Sequence, residues 1–196
     1  RTDQDAGWRN VDMRAERTLG AHDLVLGLSH ARYDFNENNR LTDDWRNGAG
    51  QTLRDAAGGR THLFGLFAED SIKLNPKFTA ILGLRYEAWN ASGGYLRDGA
   101  QDNRYATRRR DAWSPKMALR FTPDDASEIT ASAAWATRFP TVRELYQPAL
   151  IAYGPNVGEL DLNGYNPDIK PEHSFDLALT AKRHFGNISA TLSAYR

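Results

Sequence analysis

The chain has 196 residues, with 25 Lys+Arg against 25 Asp+Glu, so no global field points to nucleic acid or to an acidic partner. It has no cysteine, which excludes a disulfide framework, thiolate metal ligands and a cysteine nucleophile. No apolar run approaches the roughly 18 to 20 residues of a spanning helix, which excludes helical membrane proteins; polar mean hydropathy does not speak against a β-barrel, where only alternate strand residues face lipid. The chain opens Arg1-Thr2-Asp3-Gln4-Asp5 without an initiator Met or an apolar leader. Any targeting signal is therefore expected outside it, and the chain reads as a fragment.

Period-2 alternation runs from end to end and predicts about eight strands. Residues 9–19 put Val11, Met13, Ala15 and Leu19 on one face and Asn10, Asp12, Arg14 and Glu16 on the other. Residues 22–35 are mixed, because Leu24, Leu26 and Leu28 share parity with His30, Arg32 and Asp34. In 61–74, Phe64, Leu66, Ala68, Ile72 and Leu74 align, with Asp70 as the exception. The clearest strand sets Phe78, Ala80, Leu82, Leu84, Tyr86 and Ala88 against Thr79, Ile81, Gly83, Arg85 and Glu87. Next come Trp113, Pro115, Met117, Leu119 and Phe121 opposite Lys116 and Arg120, then Ile129, Ala131, Ala133, Trp135 and Phe139 opposite Glu128, Thr130 and Arg138. Phe175, Leu177, Leu179 and Ala181 oppose Ser174, Asp176 and Lys182, and a last strand covers 188–196.

Connection lengths alternate. Tight turns are predicted at Gly20-Ala21, Asn75-Pro76-Lys77, Thr122-Pro123-Asp124-Asp125 and Gly186-Asn187, and long loops at 36–59, 91–109 and 139–172. Short turns on one rim and long loops on the other are the layout of an outer-membrane barrel, whereas a soluble sandwich mixes short connections at both ends. The predicted class is an all-β antiparallel up-and-down meander, part of a larger transmembrane barrel. Trp8, Trp89, Trp113 and Trp135 near the loop ends, with Phe78 and Phe121 near the turn ends, are expected to mark the two aromatic girdles.

Two motifs frame the last long loop. Arg138-Phe139-Pro140-Thr141-Val142-Arg143-Glu144-Leu145-Tyr146 ends a strand, and Asn166-Pro167-Asp168-Ile169-Lys170-Pro171-Glu172 leads into the next. Pro140 suits the first position of a short helix that Pro148 would stop, Asn166-Pro167-Asp168 has turn chemistry, and Lys170-Pro171 keeps the chain extended. Both motifs read as structural. Together they resemble the "FRxPTxxELY … NPxLKPE" signature of TonB-dependent outer-membrane receptors. Phe67-Ala68-Glu69-Asp70-Ser71-Ile72-Lys73-Leu74 and Leu82-Gly83-Leu84-Arg85-Tyr86-Glu87 are similar to that family's "YxQDxxKL … LGxRYE" hairpin.

The resemblance implies a barrel of about 22 strands closed by a plug, and residues 1–196 as a partial barrel domain with the plug and remaining strands elsewhere. It further implies a bacterial outer-membrane location, contact with outer-membrane lipid and lipopolysaccharide, energy from TonB through the plug, and most commonly a ferric siderophore as cargo. A passive porin or another outer-membrane binding barrel is the alternative, and a soluble β-sandwich the third class.

For ligand contact the candidates are Tyr95, Arg97, Arg104, Tyr105, Arg108 and Arg109, beside Arg110, and Tyr146, Tyr153 and Tyr165 in the last loop. Guanidinium and aromatic groups suit anionic, flat-faced iron chelates; solvated loop positions and pairing with lipopolysaccharide phosphates are the competing roles. Asp161, Asn163 and Glu172 match three positions of a calcium loop, but Gly164 and Pro167 break the template. His22, His30, His62, His173 and His184 show no paired-ligand spacing. With no nucleophile elbow, phosphate loop or dinucleotide fingerprint, neither catalysis nor a cofactor is expected. Arg85, Glu87, Lys116, Arg120, Glu128 and Arg138 read as a polar interstrand ladder.

Overall fold

The computed structural model describes residues 1–98, 101–157, 159–161 and 165–196. In chain order the elements are β1 (Thr2–Leu19), β2 (His22–Leu41), β3 (Thr52–Asn75), β4 (Phe78–Asp98), β5 (Gln101–Arg104), β6 (Arg108–Asp124) and β7 (Ser127–Arg138). Helix α1 (Val142–Tyr146) follows, then the two-residue strands β8 (Ala149–Leu150) and β9 (Leu160–Asp161), β10 (Glu172–Phe185) and β11 (Ile188–Tyr195). The eight long strands pair antiparallel in the order β1-β2-β3-β4-β6-β7-β10-β11, with β5 folded back on β4. The sheet is open, so β1 and β11 are its edges.

This is the expected meander. The turns between β1 and β2, β3 and β4, β6 and β7, and β10 and β11 share one rim, and the long connections share the other. The loops differ from expectation: strand continues through most of 36–59 and 91–109, leaving 42–51 between β2 and β3 and a β5 hairpin after β4. The reason lies in residues 55–59, Asp-Ala-Ala-Gly-Gly, which are all buried. Here neither face is consistently apolar, so the alternation vanishes although the backbone ladder persists. At 24 residues β3 reaches roughly 80 Å, far more than a bilayer needs.

Directly paired residues share a face, and the register aligns the apolar sets into rungs. One rung is Met13–Leu28–Leu66–Tyr86–Trp113. Nearer the turn rim another is Leu24–Asp70–Leu82–Met117–Ala133–Leu177. This bare face is an exposed apolar belt, with Leu82 51% and Met117 59% exposed. Asp70, the exception, interrupts the belt near the turn rim, where its carboxylate meets His22 Nδ1 at 2.7 Å.

The opposite face carries the polar ladder. Arg85 pairs with Glu87 at 2.9 Å and reaches Ser29, Lys116 pairs with Glu69, and Arg120 with Glu128 at 3.5 Å. Towards the loop rim this face becomes apolar and receives α1. Phe35, Trp89, Ala91, Val142, Leu145 and Tyr146 form the buried cluster there, with Phe139 and Tyr105 packed against it. The girdle expectation is therefore half corrected. Trp113 and Trp135 stand on the bare face, but Trp8 and Trp89 lie on the helix face, where Trp89 stacks on Phe139 at 5.9 Å.

Candidate functional site

The loop between β7 and β10 is fixed by a charge network joining the two sequence motifs. Arg138, the last residue of β7, lies directly across from Glu172, the first of β10. Its guanidinium donates to both Glu172 oxygens at 2.8 and 2.9 Å and to both Glu144 oxygens at 3.2 and 2.9 Å. Glu144 also accepts from the backbone N–H and the hydroxyl of Thr141, while the Thr141 hydroxyl accepts from the Glu144 N–H. Thr141 is thus the N-cap of a capping box, and α1 starts at Val142 rather than at Pro140, which is buried just before the cap. The Thr-x-x-Glu spacing was a readable signal that the proline obscured.

Arg138, aided by the Thr141 groups, holds the Glu144 carboxyl down to about 2 from an ordinary 4.5, against the opposing effect of burial. Because the folded value is the lower one, the stabilisation is present above about pH 4.5 and is lost as pH falls towards 2. Amide exchange of α1 should accelerate across that window in the wild-type protein, once corrected for intrinsic rates, and Glu144→Gln should flatten the response. An unchanged profile in Glu144→Gln would assign the acid sensitivity elsewhere.

The second motif is tied down by Arg108, which donates to the Pro167 carbonyl and, at 2.9 Å, to the Ile169 carbonyl. Asn166 forms the expected turn, accepting the Asp168 N–H on its side chain at 2.8 Å, and its own N–H reaches the Glu144 carbonyl. Lys170 and Pro171 then lead directly to β10.

Below α1, Tyr146 is 1% exposed, packed over Gly59 and Gly94. A Cβ on Gly94 would lie 2.3 Å from Tyr146 Cζ, so glycine there makes room for the ring. Tyr105 stacks on Tyr146 at 5.1 Å, and its hydroxyl meets that of Tyr165 at 2.7 Å. Burial raises the Tyr105 and Tyr146 phenols above their usual range, so both stay protonated at physiological pH.

The nine ligand candidates divide between the two faces. Tyr105, Arg108, Tyr146 and Tyr165 gather around α1 on the helix face. Tyr95, Arg97, Arg104 and Arg109 belong to the bare face. Between the pairs Gly58–Tyr95 and Arg60–Ser92, β4 sets two residues, Gly93 at a φ of 61° and Gly94, against the single Gly59 of β3; beyond this bulge the parity of β4 inverts, so Tyr95 pairs with Gly58 and Arg97 with Ala56. Arg97 and Arg104 both pair with Asp102, Arg104 lies over the Tyr95 ring at 5.4 Å, and Arg109 is paired with Asn90. Tyr153 stands apart, 85% exposed. Asn163 of the calcium template lies outside the described residues, and Glu172 is engaged by Arg138. Among the described residues no cluster of three His, Asp or Glu is placed to hold a metal, and no helix is long and apolar enough to cross a membrane.

An apolar belt on one face, a polar ladder on the other and a packed loop at one rim define a section of the wall of a large antiparallel barrel. Residues 1–196 match the family described as TonB dependent receptor-like, beta-barrel, and the chain belongs to that family of outer-membrane barrels. Among solved structures it is similar to the copper transporter OprC, at 19% identity and a TM-score of 0.72, covering 99% of this chain and 30% of that one. It is also similar to the ferric yersiniabactin uptake receptor FyuA from Yersinia pestis, at 13% identity and a TM-score of 0.65, covering 99% and 29%. The ferric citrate transporter FecA gives 12% identity and a TM-score of 0.65, covering 99% and 27%. The chain thus spans about a third or less of these proteins, and at such identities the likeness is one of fold. No curated protein matches the chain.

Proposed function

We propose that residues 1–196 are part of the barrel of a bacterial outer-membrane importer, completed by further strands and by a plug that couples it to TonB, with an anionic ferric siderophore as cargo. The bare face meets lipid and lipopolysaccharide, and the loop rim points outward. One observation carries the cargo assignment: the helix face and its loop present phenol and guanidinium groups, Tyr105, Tyr165, Tyr153 and Arg110, while both methionines, Met13 and Met117, face the other way. That donor set fits an anionic chelate better than a bare soft metal ion. Two of the solved structures named above are of a ferric yersiniabactin uptake receptor and a ferric citrate transporter, which agrees.

The test uses the intact receptor with a ferric tris-catecholate and a ferric hydroxamate as probes. Arg110→Ala with Tyr153→Ala should weaken binding by roughly tenfold, the scale of one lost charge-assisted contact. Arg97→Ala with Arg104→Ala, on the bare face, should leave it within about twofold. Uptake that persists after the proton-motive force is collapsed would instead make the barrel a passive channel.

A further inference from the structure

The ladder between β6 and β7 stops partway up the wall. Its last pair towards the loop rim is Lys116–Ala134. Continuing that register would set Pro115 against Trp135, Ser114 against Ala136, Trp113 against Thr137 and Ala112 against Arg138, but among the described residues none of these pairs forms. Both strands nevertheless run on, Ala112–Pro115 paired with β4 and Trp135–Arg138 with β10. Pro115 has no N–H to give across a ladder, and a proline within a sheet belongs at an edge or an irregularity. Four missing pairs amount to about four interstrand hydrogen bonds forgone.

The split is bounded at both ends. Lys116–Ala134 closes it below. Above, Arg108 of β6 holds the carbonyls of Pro167 and Ile169, while the Asn166 N–H reaches the carbonyl of Glu144, whose carboxylate Arg138 of β7 grips. What remains is a slot, roughly 13 Å tall along β7 from Ala134 to Arg138.

Its two mouths differ in chemistry. On the bare face, between two rungs of the apolar belt, a cavity of about 420 Å³ has Leu82, Pro115, Met117, Trp135 and Phe175 among its walls. On the opposite face a cavity of about 330 Å³ is walled in part by Glu69, Arg85, Ser114 and Lys116. The two share Lys116, Ala134 and Trp135, the residues at which the ladder ends. The Ser114 hydroxyl is buried there without a hydrogen-bond partner among the described residues. Hydrocarbon offers nothing to freed backbone groups, so they must be satisfied from the inner side, by water or by a polar ligand. The strands are still at ladder spacing, roughly 4.8 Å, at Lys116–Ala134, so the slot just above suits one unbranched chain and no ring.

We infer that the β6–β7 slot is a tail site for an amphiphilic cargo: a ferric chelate carrying one fatty-acyl chain on an amide. The chelate stays inside the barrel, the amide meets Ser114 and the freed backbone groups, and the chain passes out into the belt beside Trp135 and Phe175. This deepens the reading above and rests on it, since the bare face must lie in lipid and the cargo must be an iron chelate.

The intact receptor in detergent is titrated with the ferric complex of a linear trihydroxamate whose terminal amine carries a dodecanoyl chain, and with the same complex acetylated instead. The acylated complex should bind at least about tenfold tighter, a gain that burial of about two methylenes already supplies. Pro115→Val restores the missing donor and lets the ladder close, so the preference should fall below about threefold; partition into the micelle is common to both proteins and cancels in that comparison. A diazirine at the chain end should label peptides carrying Trp135 or Phe175. In the wild type without ligand, the slot-facing amides of Trp135–Arg138 should exchange at least about a hundredfold faster than the amides of Ile129–Ala133, and Pro115→Val should narrow that gap. Equal binding of the two complexes, an undiminished preference in Pro115→Val, labelling confined to other peptides, or equal amide protection above and below Ala134 each overturns the inference and leaves the importer reading standing. Failure of both complexes to bind overturns that reading and this inference with it.

Discussion

Met117→Arg in the intact receptor should lower the folding free energy in lipid vesicles by about 2–4 kcal/mol, while Ala118→Arg, one residue along the same strand, should change it by less than about 1 kcal/mol. Met117 lies within the bare belt, paired with Leu82 on one side and Ala133 on the other. A guanidinium there has no polar partner across either ladder and must be desolvated or drag water into the hydrocarbon. Ala118 pairs with Ile81 and Ser132 on the other face, among the polar ladder, where a long cation can reach water. Urea titration of the vesicle-folded protein, read by its heat-modifiable mobility, gives both numbers. Equal costs would mean that the two faces are not divided between lipid and lumen, and the assignment of every rung would fall with them.

The contrast between those neighbouring positions was legible in the sequence because a sheet with one apolar and one polar face imposes a strict period of two. Where that asymmetry ends, so does legibility. The upper halves of β3 and β4 hold small or polar residues buried beneath α1, and nothing in Ala56-Ala57-Gly58-Gly59 distinguishes a strand roofed by a loop from a loop. Sidedness failed at the same place for a second reason. Gly93 and Gly94 of β4 stand against Gly59 alone, and that one extra residue turns Tyr95 and Arg97 from the face their parity implied to the opposite one. The mixed parity of His30, Arg32 and Asp34 with Leu24, Leu26 and Leu28 is the step from the apolar belt to charged residues nearer the loop rim, where Arg32 faces His62 and Asp34 faces Arg60. The Arg138–Glu172 pair was beyond reach, since the two residues are 34 positions apart and meet only through the β7–β10 register.

The packing of Tyr146 should dominate the stability of the loop. Tyr146→Ala removes a fully buried ring from between α1, Gly59 and Gly94, and truncation of a large buried aromatic costs about 3–5 kcal/mol. Gly94→Ala attacks the same contact from the other side: its Cβ cannot coexist with the ring, so the ring must shift, at about 1–3 kcal/mol for overpacking. In the double variant the added methyl enters space the ring has vacated. The two losses should therefore fall short of additive by at least about 1 kcal/mol, as expected for residues in direct contact. Tyr146→Phe separates packing from hydroxyl chemistry, because the Tyr146 hydroxyl is buried without a hydrogen-bond partner among the described residues; it should cost less than about 1 kcal/mol and leave ligand affinity unchanged. Native-state amide exchange of α1 in the intact receptor supplies the opening free energies. Additive losses would show that Gly94 and Tyr146 do not share a seat, and a large affinity loss in Tyr146→Phe would move that hydroxyl from the packing of the loop into the ligand site.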